Sequence, residues 1–201
     1  IPLLVFAKAG VGVILASVLS CWVVISAVRD VVVKVRTARA GILAGLRRLS
    51  RSYVGMQLAH LGLVVTVLGV AFTSVYSIER DVRMAPGDSA TVNEYRFVFQ
   101  GVEEHTGPNY SAVRGTMQVF RGDQEIAVMH PEKRFYFVQR NTMTEAAIDA
   151  GFFLVLYVAM GEPLDGDAWA VRLYHKPFVR WIWLGALLMA AGGLLAASDR
   201  R

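Results

Sequence analysis

The sequence predicts a membrane α-helical protein with three transmembrane helices and an inserted antiparallel β domain, a small barrel or OB-like. Three apolar runs, residues 1–28, 53–76 and 178–197, are each long enough to cross a bilayer, which takes about 20 helical residues. The chain is 55% hydrophobic and only 18% charged, whereas soluble domains average about 45–50% and about 25%. Residues 77–177 break this pattern with mixed charges and short alternating runs, as expected of a solvated β domain.

The first apolar run, residues 1–28, begins with Ile1 rather than Met and has no charged segment before it. This is not the pattern of a signal peptide, and we interpret the chain as part of a longer protein. Lys8 lies near one end of the run, where its charged head can reach the membrane interface. Cys21 is the single cysteine, outside any C-x-x-C motif, and we expect it to be a small buried residue.

Residues 29–52 form a basic segment that predicts a cytoplasmic loop, because short loops rich in Lys and Arg stay on that side of the membrane. Its charged residues are Arg29, Asp30, Lys34, Arg36, Arg39, Arg47, Arg48 and Arg51. Ile42, Leu46 and Leu49 recur at helical spacing and predict an amphipathic segment on the bilayer surface. A basic run can also contact nucleic acid, but its place between two spans favours lipid headgroups and no nucleic acid.

Apart from the tyrosines at its two ends, the second predicted helix, residues 53–76, carries one ionisable side chain, His60. An imidazole is costly to place in hydrocarbon, so it normally faces the protein interior and has a partner. The residues alone leave two interpretations open. One is a buried histidine bonded to a backbone carbonyl or a Ser/Thr hydroxyl on a neighbouring helix, and the other is a functional group such as a proton relay. Gly55, Gly62 and Gly69 recur every seven residues, which favours close helix packing but also suits a flat ligand.

Residues 77–177 predict about six or seven short strands, either a small barrel or a sandwich, similar to the OB fold. The aromatic residues of the alternating run at 95–99 are expected in the core rather than at a partner surface. Residues 144–150 (TEAAIDA) predict one short helical turn. Residues 131–134 (PEKR) predict a solvated turn, which is our first candidate for an exposed partner surface.

Three histidines of the β domain, His105, His130 and His175, are widely spaced and form no H-x-x-H or H-E-x-x-H pattern. We expect surface or hydrogen-bonding roles for them rather than a metal site. The third apolar run, 178–197, starts with Arg and Trp residues typical of a membrane interface, and the tail 198–201 is again basic. The β domain is therefore predicted on the outer side of the membrane.

Several segments of the chain are similar to one known family. They are RSYVGMQLAHLGL (51–63), SIERDVRMAPGDS (77–89), YRFVFQGV (95–102), HPEKRFY (130–136), TEAAID (144–149), GEPL (161–164) and YHKPFVRWIWLGALLMAAGGLLAASDRR (174–201). These segments resemble the C-terminal portion of the CcmF family of cytochrome c-type biogenesis proteins, the membrane haem lyase subunits of bacterial cytochrome c maturation. The resemblance covers essentially everything after Arg51.

The resemblance implies a haem site at His60. In that family a membrane haem b has two axial histidines on different helices, and His60, within G-M-x-x-x-H-x-G, matches one of them. The second ligand belongs to an upstream helix outside this chain. Gly62 is expected to leave room beside the imidazole for the flat macrocycle. The family's haem b is proposed to reduce the haem that is being attached.

The resemblance also implies partners and a location. They are a periplasmic haem chaperone, apocytochrome c with its thioredoxin-like presenting subunit, the upstream remainder of the same protein, and the lipid bilayer of the bacterial inner membrane, with residues 77–177 in the periplasm. We expect the chain to be part of a haem lyase rather than active alone, with no catalytic residue of its own. The alternative is a non-catalytic membrane scaffold whose β domain docks the maturation partners. A transporter is a weaker third hypothesis, because its spans would carry more polar residues.

Overall fold

The computed structural model describes residues 10–37, 42–47 and 49–199. It divides into a helical unit, Ile1–Val75 with Phe178–Arg201, and a β unit, Tyr76–Pro177. The predictions made for Lys8, Arg39, Arg48 and the end of the tail lie outside the described residues.

The helical unit contains α1 (Val11–Thr37), α2 (Ile42–Arg47), α3 (Arg51–Tyr76) and α4 (Val179–Ala197). Among the described residues, α1, α3 and α4 are long and apolar enough to cross a membrane. α2 has six residues and falls within the predicted amphipathic segment, and Leu49 lies beyond its end.

α1 corrects the predicted start of the basic loop at residue 29. The helix continues to Thr37, so Arg29, Asp30 and Lys34 lie on its last turns. The apolar residues Val31–Val33 continue the run between these charges, and no Gly or Pro interrupts the sequence there, so nothing ends the helix at Val28. Cys21 is another correction: it is exposed on α1 rather than buried, which suits the weakly polar thiol of a membrane helix.

The start of α3 is capped by two oxygen atoms. Ser50 precedes the first helical residue, and its Oγ accepts a hydrogen bond from the Tyr53 N–H at 3.2 Å. The Ser52 N–H donates to Asp199 Oδ2 at 2.9 Å, from just beyond the end of α4. Both bonds satisfy N–H groups that have no partner within the first helical turn, and the carboxylate suits the positive end of the helix dipole.

The β unit consists of ten antiparallel strands in two sheets. The strands are β1 (Ile78–Met84), β2 (Ser89–Val92), β3 (Tyr95–Thr106), β4 (Tyr110–Arg121), β5 (Gln124–Met129), β6 (Glu132–Tyr136), β7 (Asn141–Glu145), β8 (Ala147–Ala150), β9 (Leu154–Pro163) and β10 (Trp169–Pro177). Sheet A has the order β1-β10-β9-β8, and sheet B has the order β2-β3-β4-β6-β7, with β5 also paired to β4. The predicted fold class, membrane helices with an inserted antiparallel β domain, is confirmed, and the domain is a sandwich.

The core of the β unit follows from alternation along the strands. Tyr95, Phe97 and Phe99 of β3 are all buried, as predicted from the sequence. They pack in one cluster with Met117 of β4 and Leu173 of β10, so both sheets contribute. Alternate side chains of a strand point to one face, and here that face is the interior.

Residues 144–150 are strand and not the predicted helical turn. Thr144 and Glu145 end β7, which pairs with β6, and Ala147–Ala150 form β8, which pairs with β9. The Ala and Glu residues favour a helix locally, but the backbone hydrogen bonds offered by two neighbouring strands outweigh that small preference.

Candidate functional site

His60 lies on the surface of α3 and has one well-defined hydrogen bond. Its Nδ1 is 2.8 Å from the carbonyl oxygen of Met56, one turn earlier on the same helix. Because a carbonyl oxygen only accepts, Nδ1 must carry the proton in this contact. The lone pair of the neutral ring is therefore on Nε2, which is the nitrogen that can bind a metal ion.

The imidazole lines an open groove of about 310 Å³ between α1 and α3. The groove is lined by Trp22, Val23, Ser26, Ala27, Asp30, Met56, Gln57 and His60. Trp22 is 72% exposed, so a large aromatic surface of α1 is available to a molecule or helix placed beside the histidine. His60 thus lines the groove together with mostly apolar side chains.

A polar cluster joins α1 to α3 at one end of this groove. The Tyr53 hydroxyl donates a hydrogen bond to Asp30 Oδ2 at 2.7 Å. Gln57 donates from Nε2 to the same carboxylate oxygen at 3.3 Å and to the Tyr53 hydroxyl at 3.0 Å. The Lys34 ammonium lies 3.9 Å from the centre of the Tyr53 ring, a cation–π contact. The cluster fixes the two helices together close to His60.

Gly62 does not lie beside the His60 ring, which corrects its predicted role. It is buried against α4, and a Cβ atom added there would be 2.6 Å from the Gly185 carbonyl oxygen and 2.7 Å from the Met189 nitrogen. Two residues along a helix correspond to a rotation of about 200°. Gly62 and His60 therefore face opposite sides of α3, and Gly62 serves helix packing.

The other glycines of α3 have the same role. Gly55 approaches Gly192, and Gly69 approaches Ile182 of α4. The contact is reciprocal, because a Cβ atom added at Gly192 would be 2.5 Å from the Gly55 carbonyl oxygen. Small residues at seven-residue spacing on both helices let the two backbones touch, as is common between membrane helices.

The structure does not bring the histidines of the β unit together as a metal site. Among the described residues, no three His, Cys, Asp or Glu side chains are placed to hold a metal ion. The His130 Nδ1 is 3.4 Å from the Thr116 hydroxyl oxygen, and the His105 ring is tilted against that of Tyr110 with centroids 6.4 Å apart. His175 is buried, and its Nε2 lies 3.4 Å from the Asn93 side-chain amide.

A buried ion-pair network was not predicted from the sequence. Glu132, placed in a predicted solvated turn, is in β6 and is only 5% exposed. It accepts hydrogen bonds from Arg114 at 2.6 Å and from Arg134 at 2.7 Å. Burial alone would raise the pKa of Glu132, but the two guanidinium groups hold it below its usual range. The partner Arg114 is distant in sequence, so local composition gives no sign of the pair.

Comparison with known families identifies the family of this chain. The model of the "CcmF C-terminal beta-sandwich" matches residues 75–177. The chain belongs to the CcmF family. The "Cytochrome c-type biogenesis protein CcmF" of Pseudomonas aeruginosa is 55% identical over 190 residues, and that of Escherichia coli strain K12 is 45% identical over 201 residues. The family predicted from the quoted segments is thus confirmed.

The chain spans 29% and 30% of the length of these two curated relatives, while 94% and 100% of the chain is covered. A solved structure titled "Cytochrome c Heme Lyase CcmF" matches 94% of this chain with a TM-score of 0.77 at 22% identity. The matched region is 31% of that longer protein, and the match supports the fold of the present chain.

Proposed function

We propose that this chain is the C-terminal part of a membrane haem lyase of cytochrome c maturation, and that His60 is an axial ligand of a membrane haem b. The relatives named as cytochrome c-type biogenesis proteins support the process. The observation that carries the site is the hydrogen bond from His60 Nδ1 to the Met56 carbonyl oxygen. A bond of this kind fixes ring orientation and leaves Nε2 as the basic nitrogen, as is usual for a metal-bound histidine.

The residues around the groove fit one side of a haem. The walls from α1 and α3 are mostly apolar, and Trp22 offers a large flat surface. Asp30, Tyr53 and Gln57 hold α1 against α3, so that the groove keeps its width beside His60. The second axial histidine would come from a helix of the upstream remainder of the protein. When bound, the haem supplies an electron for reduction of the haem to be attached.

The partners and the topology belong to the same proposal. Haem comes from a periplasmic haem chaperone and is joined by thioether bonds to apocytochrome c, which the thioredoxin-like subunit presents. In this proposal the basic residues of the segment 29–52 face the cytoplasm, as the positive-inside rule predicts, and residues 77–177 are in the periplasm. The attachment chemistry belongs to the full-length protein, because its relatives are more than three times as long as this chain.

Replacement of one side chain tests the haem ligand. We expect His60→Ala in the full-length protein to abolish the Soret absorbance of haem b per mole of purified protein. His130→Ala, which removes an exposed imidazole of the β unit, is the matched control and should retain it. Size-exclusion chromatography in detergent checks that both variants are folded. A folded His60→Ala protein with the full Soret band would exclude this residue as the ligand.

A docking scaffold is the second candidate function. It is favoured by the β unit, which has its own core. If residues 78–176 are replaced by a short Gly-Ser linker, we expect the full-length protein to keep haem b but to lose its partner proteins on co-purification. Retention of all the partners would contradict the docking role.

A further inference from the structure

The turn between β8 and β9 carries two neighbouring aromatic side chains on its surface. Phe152 and Phe153 are 54% and 58% exposed, and their rings meet edge to face with centroids 4.9 Å apart. The tip of the turn is Gly151-Phe152-Phe153, without a charged residue. Two large aromatic rings on the surface of a soluble turn require an explanation, because most such rings are buried in a core.

The strand register places this turn at the end of sheet A from which the chain enters the membrane helices. Leu154 pairs with Pro177, the last residue of β10, and α4 begins two residues later at Val179. β1 begins at the same end, since Ile78 pairs with His175 and follows shortly after the last residue of α3, Tyr76. The Phe152-Phe153 tip therefore lies at the same end of sheet A as the connections to α3 and α4, and β9 is the direct neighbour of β10.

The turns at the two ends of sheet A differ in polarity. At the end with the Phe turn, Ile148 is also 59% exposed and Ile78 is 37% exposed, while the charged Asp149 and Lys176 lie on β8 and β10 rather than at the tip of the turn. The opposite turn, between β9 and β10, contains Asp165 and Asp167, both exposed. β9 has ten residues, so the two turns are about 33 Å apart at 3.3 Å per residue. The turn at the end of the sheet that connects to α3 and α4 is thus aromatic, and the turn at the opposite end is acidic.

Aromatic side chains also mark the start of the adjoining membrane helix. The Phe178 ring lies 5.2 Å from that of Phe72 on α3 and 5.1 Å from that of Trp181 on α4. Such clusters are typical of the layer between lipid headgroups and acyl chains, where aromatic rings are favoured. Phe178 directly follows Pro177, and Pro177 is the strand partner of Leu154, the residue that follows Phe153.

We propose that the turn at 151–153 inserts Phe152 and Phe153 into the headgroup–acyl boundary of the bilayer. The bilayer is the partner that this surface fits, because exposed aromatic rings on a turn without a charged residue favour that layer over water. The turn then gives the β domain a third point of attachment besides its connections to α3 and α4. This limits rocking of the sandwich on the membrane. The proposal does not depend on the haem site.

Spin labelling of the full-length protein in liposomes tests the proposal. Cys21 is replaced by Ser, together with any cysteine of the upstream part, and a nitroxide is attached to Phe153→Cys. The matched control is Asp165→Cys in the opposite turn. Collision rates of each nitroxide with oxygen, which concentrates in lipid, and with a water-soluble nickel chelate are measured by electron paramagnetic resonance.

At Phe153→Cys we expect at least a several-fold higher ratio of oxygen to nickel collisions than at Asp165→Cys. Equal ratios at the two positions would show that the turn is in water and would overturn the proposal. Low collision rates with both reagents at Phe153→Cys would show burial against protein and would overturn it as well. Phe152→Cys, measured in the same way, guards against a local folding defect at position 153.

Discussion

His60 and His175 show how the surroundings of an imidazole decide its chemistry. The carbonyl oxygen one turn earlier fixes the tautomer of His60, whose side chain lines a groove. His175 is instead enclosed in the sandwich, with its ring 5.8 Å from that of Tyr95 and its Nε2 near Asn93. Its Nδ1 has no hydrogen-bond partner among the described residues. Burial lowers the pKa of His175, although the nearby Glu94 carboxylate opposes the shift.

The lowered pKa of His175 predicts a loss of stability at mildly acidic pH. Between the lowered pKa of the folded domain and the ordinary pKa of about 6.5, the unfolded chain binds a proton that the folded domain does not, so the free energy of unfolding falls as the pH is lowered. The depressed pKa of Glu132 acts in a lower window, below the usual carboxyl range, and does not overlap. We expect the unfolding temperature of the β domain in the full-length protein to drop between pH 7.5 and 5.5, and His175→Gln to flatten this slope.

Both proteins are compared with their own values at pH 8, where the imidazole is neutral in the folded and unfolded states. Circular dichroism in the strand region follows the unfolding. An equally steep decline in His175→Gln would assign the acid sensitivity to another group.

Packing of α3 against α4 depends on glycines at the contact. Gly55, Gly62 and Gly69 present bare backbone to α4, and Gly185 and Gly192 present bare backbone to α3. The Thr66 hydroxyl adds a hydrogen bond to the Ile182 carbonyl oxygen at 3.4 Å. A side chain at any of these glycines has to move a backbone, which is costly because both partners are rigid helices.

The adjacent glycines of α4 allow a matched test of this contact. An alanine Cβ at Gly192 would lie 2.5 Å from the Gly55 carbonyl oxygen, whereas at Gly193 it meets nothing within 4 Å. We expect Gly192→Ala to destabilise the helical unit by about 1–3 kcal/mol through overpacking. Gly193→Ala should be neutral or stabilising by up to about 1 kcal/mol, because alanine favours the helix.

Thermal unfolding of the two proteins in the same detergent measures the difference. A Gly192→Ala protein as stable as Gly193→Ala would show that the helices can separate slightly without cost, and that the glycine contact is not essential.

At the scale of the whole molecule, the chain consists of a membrane unit and a β unit with separate cores. The β unit begins and ends on neighbouring strands, since Ile78 pairs with His175. Its buried residues come from both sheets and include Met84, Phe97 and Met160. Because the β unit has its own core and its chain ends are adjacent, it meets the physical definition of a domain.

This organisation predicts that residues 76–177 fold when expressed alone. We expect a single cooperative urea transition with a slope of roughly 1–3 kcal/mol/M, as for small domains. Tryptophan fluorescence reports on Trp169 of the core, the only tryptophan in this range. A gradual transition, or intrinsic disorder by circular dichroism, would show that the membrane helices are required for folding of the sandwich.

Prediction from sequence succeeded where the signal is local. The apolar runs predicted the helices, the alternating run at 95–99 predicted a core strand, and the quoted segments predicted the family. Prediction failed where residues distant in the sequence determine the local structure. Thr144–Ala150 became strand because β6 and β9 supply the hydrogen bonds, and Gly62 became a packing residue because α4 covers it.

The sequence by itself determined which segments can cross a membrane and which side chain within them is ionisable, because length and hydropathy act within a single helix. Only the tertiary structure decided which face of α3 meets α4 and which faces the groove with His60. It also brought Glu132 to Arg114 and the Phe152-Phe153 turn to the end of β10. Each of these depends on strand register or helix pairing, which joins residues far apart in the chain and therefore has no local signal.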